Sequence, residues 1–174
     1  GERRSGRGSH DPLFVDAYIA AVERFIRGQS GVHRLVDLGC GDFNVGRHFL
    51  GMSRDYLACD ISAAIIEQNR QRYPDAPVRF EQRDIVSRGL PRGDIALLRQ
   101  VLQHLSNSDV ATLVDRLNRE RPYRWLIVTE HVPAGDDWPR NQDMPAGGTI
   151  RLSQGSGIDL RAAPFCLSYR QAKT

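Results

Sequence analysis

Apolar positions along the chain change their period several times, and each change marks an element. Val15, Tyr18, Ile19, Val22, Phe25 and Ile26 recur at helical spacing, with Asp11 as an N-cap, Pro12 suited to a first turn and Gly28 as the stop. Arg34 to Leu38 then reads as a short buried strand, and Tyr56 to Cys59 as a second. Between them Val45, His48, Phe49 and Leu50 predict a short helix. Ser62 caps a helix through Ile65, Ile66 and Asn69, which Tyr73-Pro74 ends, and Val78 and Phe80 alternate as a third strand. Ile95 to Leu98 is the fourth.

Ser106 and Asp109 resemble a capping box opening a helix whose apolar face is Val110, Leu113, Val114 and Leu117, with Pro122 beyond it. Trp125 to Val128 is a continuous apolar run, the pattern of a central parallel strand buried on both faces. Strands alternating with helices predict an α/β fold, a doubly wound and mostly parallel sheet flanked by helices.

Past Val132 the periodicity stops. Residues 133–163 hold Pro133, Gly135, Pro139, Pro145, Gly147, Gly148, Gly155 and Gly157, and a loop of that length in a compact domain is usually functional or disordered. It is expected to form a lid or wall of a binding site. Phe165 to Tyr169 reads as one further strand. At the other end, residues 1–10 are polar, rich in arginine and glycine, and predict a mobile arm.

Length adds one constraint: 174 residues predict a single domain, 1–174, large enough to bury roughly two thirds of its unfolded surface. No apolar run approaches the roughly 18 residues of a membrane helix, and no leader pattern opens the chain. Cys40, Cys59 and Cys166 are odd in number and two lie in core strands, which fits a reducing compartment. The expected location is cytoplasmic. No Cys/His spacing predicts a metal site. The net charge of +3 raises nucleic acid as a partner, but Lys173 is the one lysine among 24 Lys and Arg. So arginine-heavy a composition, scattered along the chain, describes a solvated surface better than a basic stripe.

The candidate chemistry sits where the first strand ends, in Val36-Asp37-Leu38-Gly39-Cys40-Gly41-Asp42-Phe43-Asn44. Gly39 and Gly41 force a tight turn that lets backbone approach a ligand closely. Asp60 follows Gly41 by nineteen residues, at the end of the second strand, where a carboxylate that grips a ribose belongs. The charge of the stretch bears on which adenosine cofactor it holds. A dinucleotide fingerprint places a third glycine where Asn44 stands, and it sets pyrophosphate against the turn, where Asp42 would repel it by a few kcal/mol. S-adenosylmethionine has no phosphate, and its ammonium and sulfonium could face Asp37 and Asp42. NAD remains the weaker alternative.

Together these stretches resemble the successive motifs of the class I S-adenosylmethionine-dependent methyltransferases: Val36 to Gly41, Asp60-Ile61, Asp84-Ile85, and Leu98 to Leu105. The resemblance covers residues 34–132. It implies a Rossmann-like fold and cofactor contacts from Asp37, Gly39, Cys40, Gly41, Asp42, Asp60, Ile61, Asp84, Ile85 and Arg99, with Asp84 accepting from the adenine amino group. S-adenosylhomocysteine is the implied product. Phe43 departs from the pattern, since many members carry a third glycine there. Residues 5–9, Ser-Gly-Arg-Gly-Ser, also resemble a segment that precedes the first helix in some bacterial methyltransferases.

Methyl transfer from a sulfonium depends mainly on positioning and desolvation, and it needs a protein base only when the acceptor must lose a proton. His104, one turn past the fourth strand, is the candidate base. Gln100, Glu130 and His131 sit at strand ends, and Trp138, Asn141 and Asp143 in the long loop; these are the candidate acceptor contacts. Leu98-Arg99-Gln100-Val101 is not the Asp/Asn-Pro-Pro-aromatic box of amino-nucleobase methylation, and no Pro-Cys nucleophile is present. The expected partner is therefore a small-molecule acceptor, O- or N-methylated, with nucleic acid and membrane disfavoured. A module that binds the cofactor or its product without turnover is the alternative from another class.

Overall fold

The computed structural model describes residues 7–170. Its five strands, β1 (Arg34–Leu38), β2 (Asp55–Asp60), β3 (Arg79–Gln82), β4 (Ile95–Arg99) and β5 (Trp125–Thr129), lie in the order β3-β2-β1-β4-β5. β2 pairs in parallel with β1 and with β3, with Val36 opposite Leu57 and Ala58 opposite Phe80. Leu35, Val36, Leu38, Tyr56, Leu57, Ala58 and Cys59 are buried, as the unbroken apolar runs require of strands covered on both faces.

Three α-helices accompany the sheet: α1 (Pro12–Arg27), α2 (Ala63–Arg72) and α3 (Asn107–Glu120). Asp11 accepts from the Leu13 amide to start α1, and Val15, Val22 and Ile26 form its buried stripe. Ser62 caps α2. At α3 the capping box is complete, Ser106 and Asp109 each accepting from the other's amide, and Val110, Leu113 and Val114 are buried. The short helix expected after β1 is a 3-10 turn, Gly46–Phe49, and no helix spans residues 83–94 between β3 and β4.

Two expectations are corrected. Trp125–Thr129 forms a strand but stands at the sheet edge, every residue half-buried rather than enclosed; an apolar run reports how much surface a strand buries, not how many neighbours it has. Phe165–Tyr169 forms no strand. Most of the proposed arm, residues 1–6, lies outside the described residues, and with it Ser5 and Gly6 of the Ser5–Ser9 segment, whose remaining residues Arg7–Ser9 form a 3-10 turn. His10 is fastened, its Nε2 lying 2.7 Å from Asp42 Oδ2.

By packing the chain divides into two compact units. One comprises the chain up to Asp84 with Pro91–Leu97 and Tyr123–Leu126, the other Ile85–Leu90, Leu98–Pro122 and the chain from Ile127. In the first unit Asp94 joins the starts of the strands. Its carboxylate accepts from the His33 and Arg34 amides at 2.9 and 2.8 Å, and its carbonyl from the Arg124 and Trp125 amides at 3.0 and 2.9 Å. In the second unit Arg116 of α3 donates to the Ile85 and Val86 carbonyls, anchoring the loop that leaves β3.

Candidate functional site

In the first unit the glycine turn is held from three sides. Gly39 and Gly41 take φ of 82° and 53°, a left-handed conformation that costs glycine nothing. The Gly39 and Cys40 amides both donate to the Cys59 carbonyl of β2, at 2.8 and 3.0 Å. Asp60 Oδ2 accepts from the Gly41 amide at 3.0 Å while Oδ1 accepts from Ser62 at 2.9 Å. From α2 the fully buried Asn69 donates to the Gly41 carbonyl at 2.7 Å. Beside Asp60, Ile61 is 66% exposed, an apolar face next to a carboxylate that keeps free lone pairs for hydroxyl donors.

The departure at Phe43 has a structural reason. Phe43 takes φ of 60°, the conformation a third glycine would supply, and its ring is completely buried. It meets Tyr56, Tyr73 and Phe80 edge-on at centroid separations of 5.6, 5.4 and 5.0 Å. Aromatic burial offsets the backbone cost, which is about 1–3 kcal/mol.

Asp37 and Asp42 lie in this turn as expected, and both are buried. Asp37 accepts from the Tyr56 hydroxyl at 3.3 Å. Asp42 is engaged by His10 and by the Asn44 amide at 3.3 Å, and the Asn44 side chain reaches the Ser9 carbonyl at 2.7 Å. Burial, reinforced by Asp37 and Asp60, pushes the Cys40 thiol well up. Burial and Asp37 push Cys59 up to about 12. Neither thiol is poised as a nucleophile. Asp84 ends the first unit, and Ile85, buried, opens the second.

In the second unit the chain leaves β4 through Arg99 and Gln100, the latter at φ 56°. The Gln100 amide nitrogen lies 3.0 Å from His131 Nε2. An amide nitrogen only donates, so Nε2 accepts and the ring is neutral with its proton on Nδ1. Burial first, then the Arg99 charge, holds His131 below the usual histidine range.

Next comes a 3-10 turn, Leu102–His104. Glu130 accepts from the amides of Val101, Leu102 and Gln103 at 3.0, 2.8 and 3.2 Å. Burial pushes this carboxyl up to about 7, against the pull of those three amides and of Arg151. His104 exchanges two bonds with Gly147: its carbonyl accepts from the Gly147 amide at 2.9 Å, and Nδ1 lies 3.1 Å from the Gly147 carbonyl. A carbonyl only accepts, so Nδ1 carries a proton, and in the neutral ring the lone pair is on Nε2. Arg151 is completely buried. Its guanidinium donates to the Leu105 carbonyl at 2.6 Å and to the Gln142 carbonyl.

The long-loop candidates divide. Trp138 is half-buried, donates to the Gly135 carbonyl and has Arg140 stacked 4.9 Å from its ring centroid. Asn141, expected as an acceptor contact, makes its side-chain bonds within the loop. It is buried at φ 58°, donates to the Asp159 and Ala163 carbonyls and accepts from the Asp159 amide, so its side chain is spent in pinning the loop. Asp143 is likewise committed, with one oxygen accepting from the Asn107 and Met144 amides. Sequence reasoning passed over Asn69 and Arg151 and treated Glu130 as an acceptor contact; only the last stood at a marked position, directly after a strand.

No cluster of metal-ligating side chains occurs among the described residues, and no helix there is long and apolar enough to cross a membrane. An open cavity lined by Arg27, His33, His48 and Arg54 lies at the amino ends of β1 and β2, the opposite end of those strands from the glycine turn.

The comparisons with known proteins decide the family. Residues 36–119 match the model of a methyltransferase domain. The chain carries a class I S-adenosylmethionine-dependent methyltransferase domain. Among solved structures it is similar to the N-methyltransferase NodS from Bradyrhizobium japonicum in complex with S-adenosylhomocysteine, with 16% identity, a TM-score of 0.56, and 65% of this chain and 59% of that one covered. It is also similar to DesVI of Streptomyces venezuelae, with 19% identity, a TM-score of 0.51 and 70% and 54% coverage. For an S-adenosylmethionine-dependent methyltransferase from Clostridium acetobutylicum the values are 12%, 0.54, and 63% and 46%. These likenesses show the fold, and the chain spans about half to three fifths of each of these proteins. No curated protein matches.

Proposed function

We propose that the protein transfers a methyl group from S-adenosylmethionine to a small-molecule acceptor, releasing S-adenosylhomocysteine. The observation that carries this reading is the glycine turn fastened to Asp60, with the exposed Ile61 beside it. The residues present fit the cofactor. Asp60 suits the ribose hydroxyls, Ile61 an adenine face, Asp84 the adenine amino group, and the acidic turn with Asp37 and Asp42 the cationic methionine end. The turn's charge also disfavours the pyrophosphate of NAD.

When bound, the cofactor supplies a methyl carbon already activated for in-line displacement. The chain's own work is to hold the partners and exclude water. His104 Nε2, with its lone pair free, takes the proton that a hydroxyl or amine acceptor gives up. Arg99, Gln100, His131 and Trp138 supply polar and aromatic contacts for a compact acceptor. A small molecule is favoured because neither nucleobase-methylation motif is present. NodS, one of the similar structures, is itself described as an N-methyltransferase.

Calorimetric titration with S-adenosylmethionine, S-adenosylhomocysteine and NAD, followed by turnover on a metabolite panel, tests the reading. Binding of the first two but not NAD, with methylation of at least one metabolite, is expected. Binding without turnover on any metabolite or nucleic acid would make the protein a cofactor-binding module instead.

A further inference from the structure

The turn that carries His104 is gripped on both of its polar sides. Directly after β5, Glu130 takes the three amides of Val101, Leu102 and Gln103. From the 133–163 loop, Arg151 donates to the carbonyl of Leu105, directly after His104. The same guanidinium holds the Gln142 carbonyl, so one side chain joins the loop to the turn. Gly147, four residues before Arg151, supplies the two bonds that orient His104 itself.

Arg151 is an unusual residue to bury. It is completely inaccessible, makes no contact ion pair with a carboxylate among the described residues, and its Nε has no hydrogen-bond partner there. A buried guanidinium with no carboxylate in direct contact is costly, and a loop needing only packing would be served better by an apolar side chain. What the charge does supply is two strong charge-assisted bonds to carbonyls on separate segments.

We propose that Arg151 is a positioning residue that, opposite Glu130, clamps the 101–105 turn and holds the 147–151 segment against it, so that Gly147 keeps His104 in the tautomer with Nε2 free. The inference rests on the reading of His104 as the general base. The loop then acts as the support of that base, and its own side chains are consumed in the task, as Asn141 and Asp143 show.

The test is long-range 1H–15N correlation of the histidine-labelled full chain together with hydrogen exchange of the 101–105 amides. In the wild-type protein His104 should show the single tautomer protonated on Nδ1. In R151M it should become a mixture of both tautomers, with exchange of the turn amides faster by about tenfold or more. R151K, which keeps the charge and one carbonyl bond, should restore most of the single tautomer. S-adenosylhomocysteine affinity should stay within about twofold in both variants. An unchanged tautomer and unchanged exchange in folded R151M would overturn the clamp. Should R151M not fold, R151K decides alone: with one of the two carbonyl bonds lost it should loosen the turn in part, and exchange of the 101–105 amides as slow as in the wild type would overturn the clamp. A single tautomer in the wild type with full methyl transfer by H104A would leave the clamp standing and remove the base reading.

Discussion

Gly46 lies under the ring of Phe43. A Cβ on Gly46 would stand 2.4 Å from Phe43 Cε2 and 2.7 Å from Asp37 Oδ2, closer than any real contact. Phe43 occupies the place of the family's third glycine, and a glycine three residues later makes room for its ring. G46A should therefore destabilise the protein by about 1–3 kcal/mol or more. In an F43A background, already weakened by about 3–5 kcal/mol, the same change should cost clearly less. Urea unfolding of the four proteins measures the coupling; strictly additive effects would contradict it.

Glu130 makes stability depend on pH. Its carboxyl is raised from the usual value to about 7 by burial, so between about pH 4.5 and 7 the folded state holds a proton that the unfolded chain has released. The contribution of this group is complete below that window and is lost as pH rises through it. E130Q should abolish that part of the pH slope while weakening the turn, since its amide nitrogen cannot accept from a backbone N–H. Urea midpoints of both proteins at pH 5 and pH 8 check this, and parallel slopes would contradict it.

Much of this architecture could be read from the chain. Strands β1, β2 and β4 and the three helices announced themselves because burial imposes period and because Asp11, Ser62 and Ser106 stand where caps belong. The glycine turn was legible because its backbone conformation demands glycine, and Asp60 because it ends a strand beside that turn, where it accepts from the Gly41 amide. Trp125–Val128 misled because apolarity does not specify neighbours. Arg151 and Asn141 were illegible for a different reason. Their partners are backbone carbonyls far away in the chain, and a polar residue in an aperiodic loop gives no sign of whether it faces solvent or a buried carbonyl.

Asn141 should behave as a structural pin. N141A removes three side-chain bonds and should cost about 1–3 kcal/mol, with accelerated proteolysis of the loop. Cofactor affinity should be unchanged. An N141A protein as stable as the wild type, with altered acceptor KM, would return Asn141 to the acceptor site.

For His104, H104A should lower kcat by about a hundredfold while leaving cofactor affinity nearly intact, as removal of a general base requires. Loss of cofactor binding in step with activity would mark a structural residue instead, and full activity would remove it from the mechanism.

The central claim is that the glycine turn and Asp60 form a cofactor site for S-adenosylmethionine and its product, and calorimetric titration of the wild type and D60A with S-adenosylhomocysteine tests it most directly. Asp60 offers a charge-assisted hydrogen bond to the ribose, so its removal should weaken binding by about 1.5–3 kcal/mol, roughly tenfold to 150-fold in Kd. A folded D60A protein that binds as tightly as the wild type, or a wild type that takes NAD and not S-adenosylhomocysteine, would contradict it.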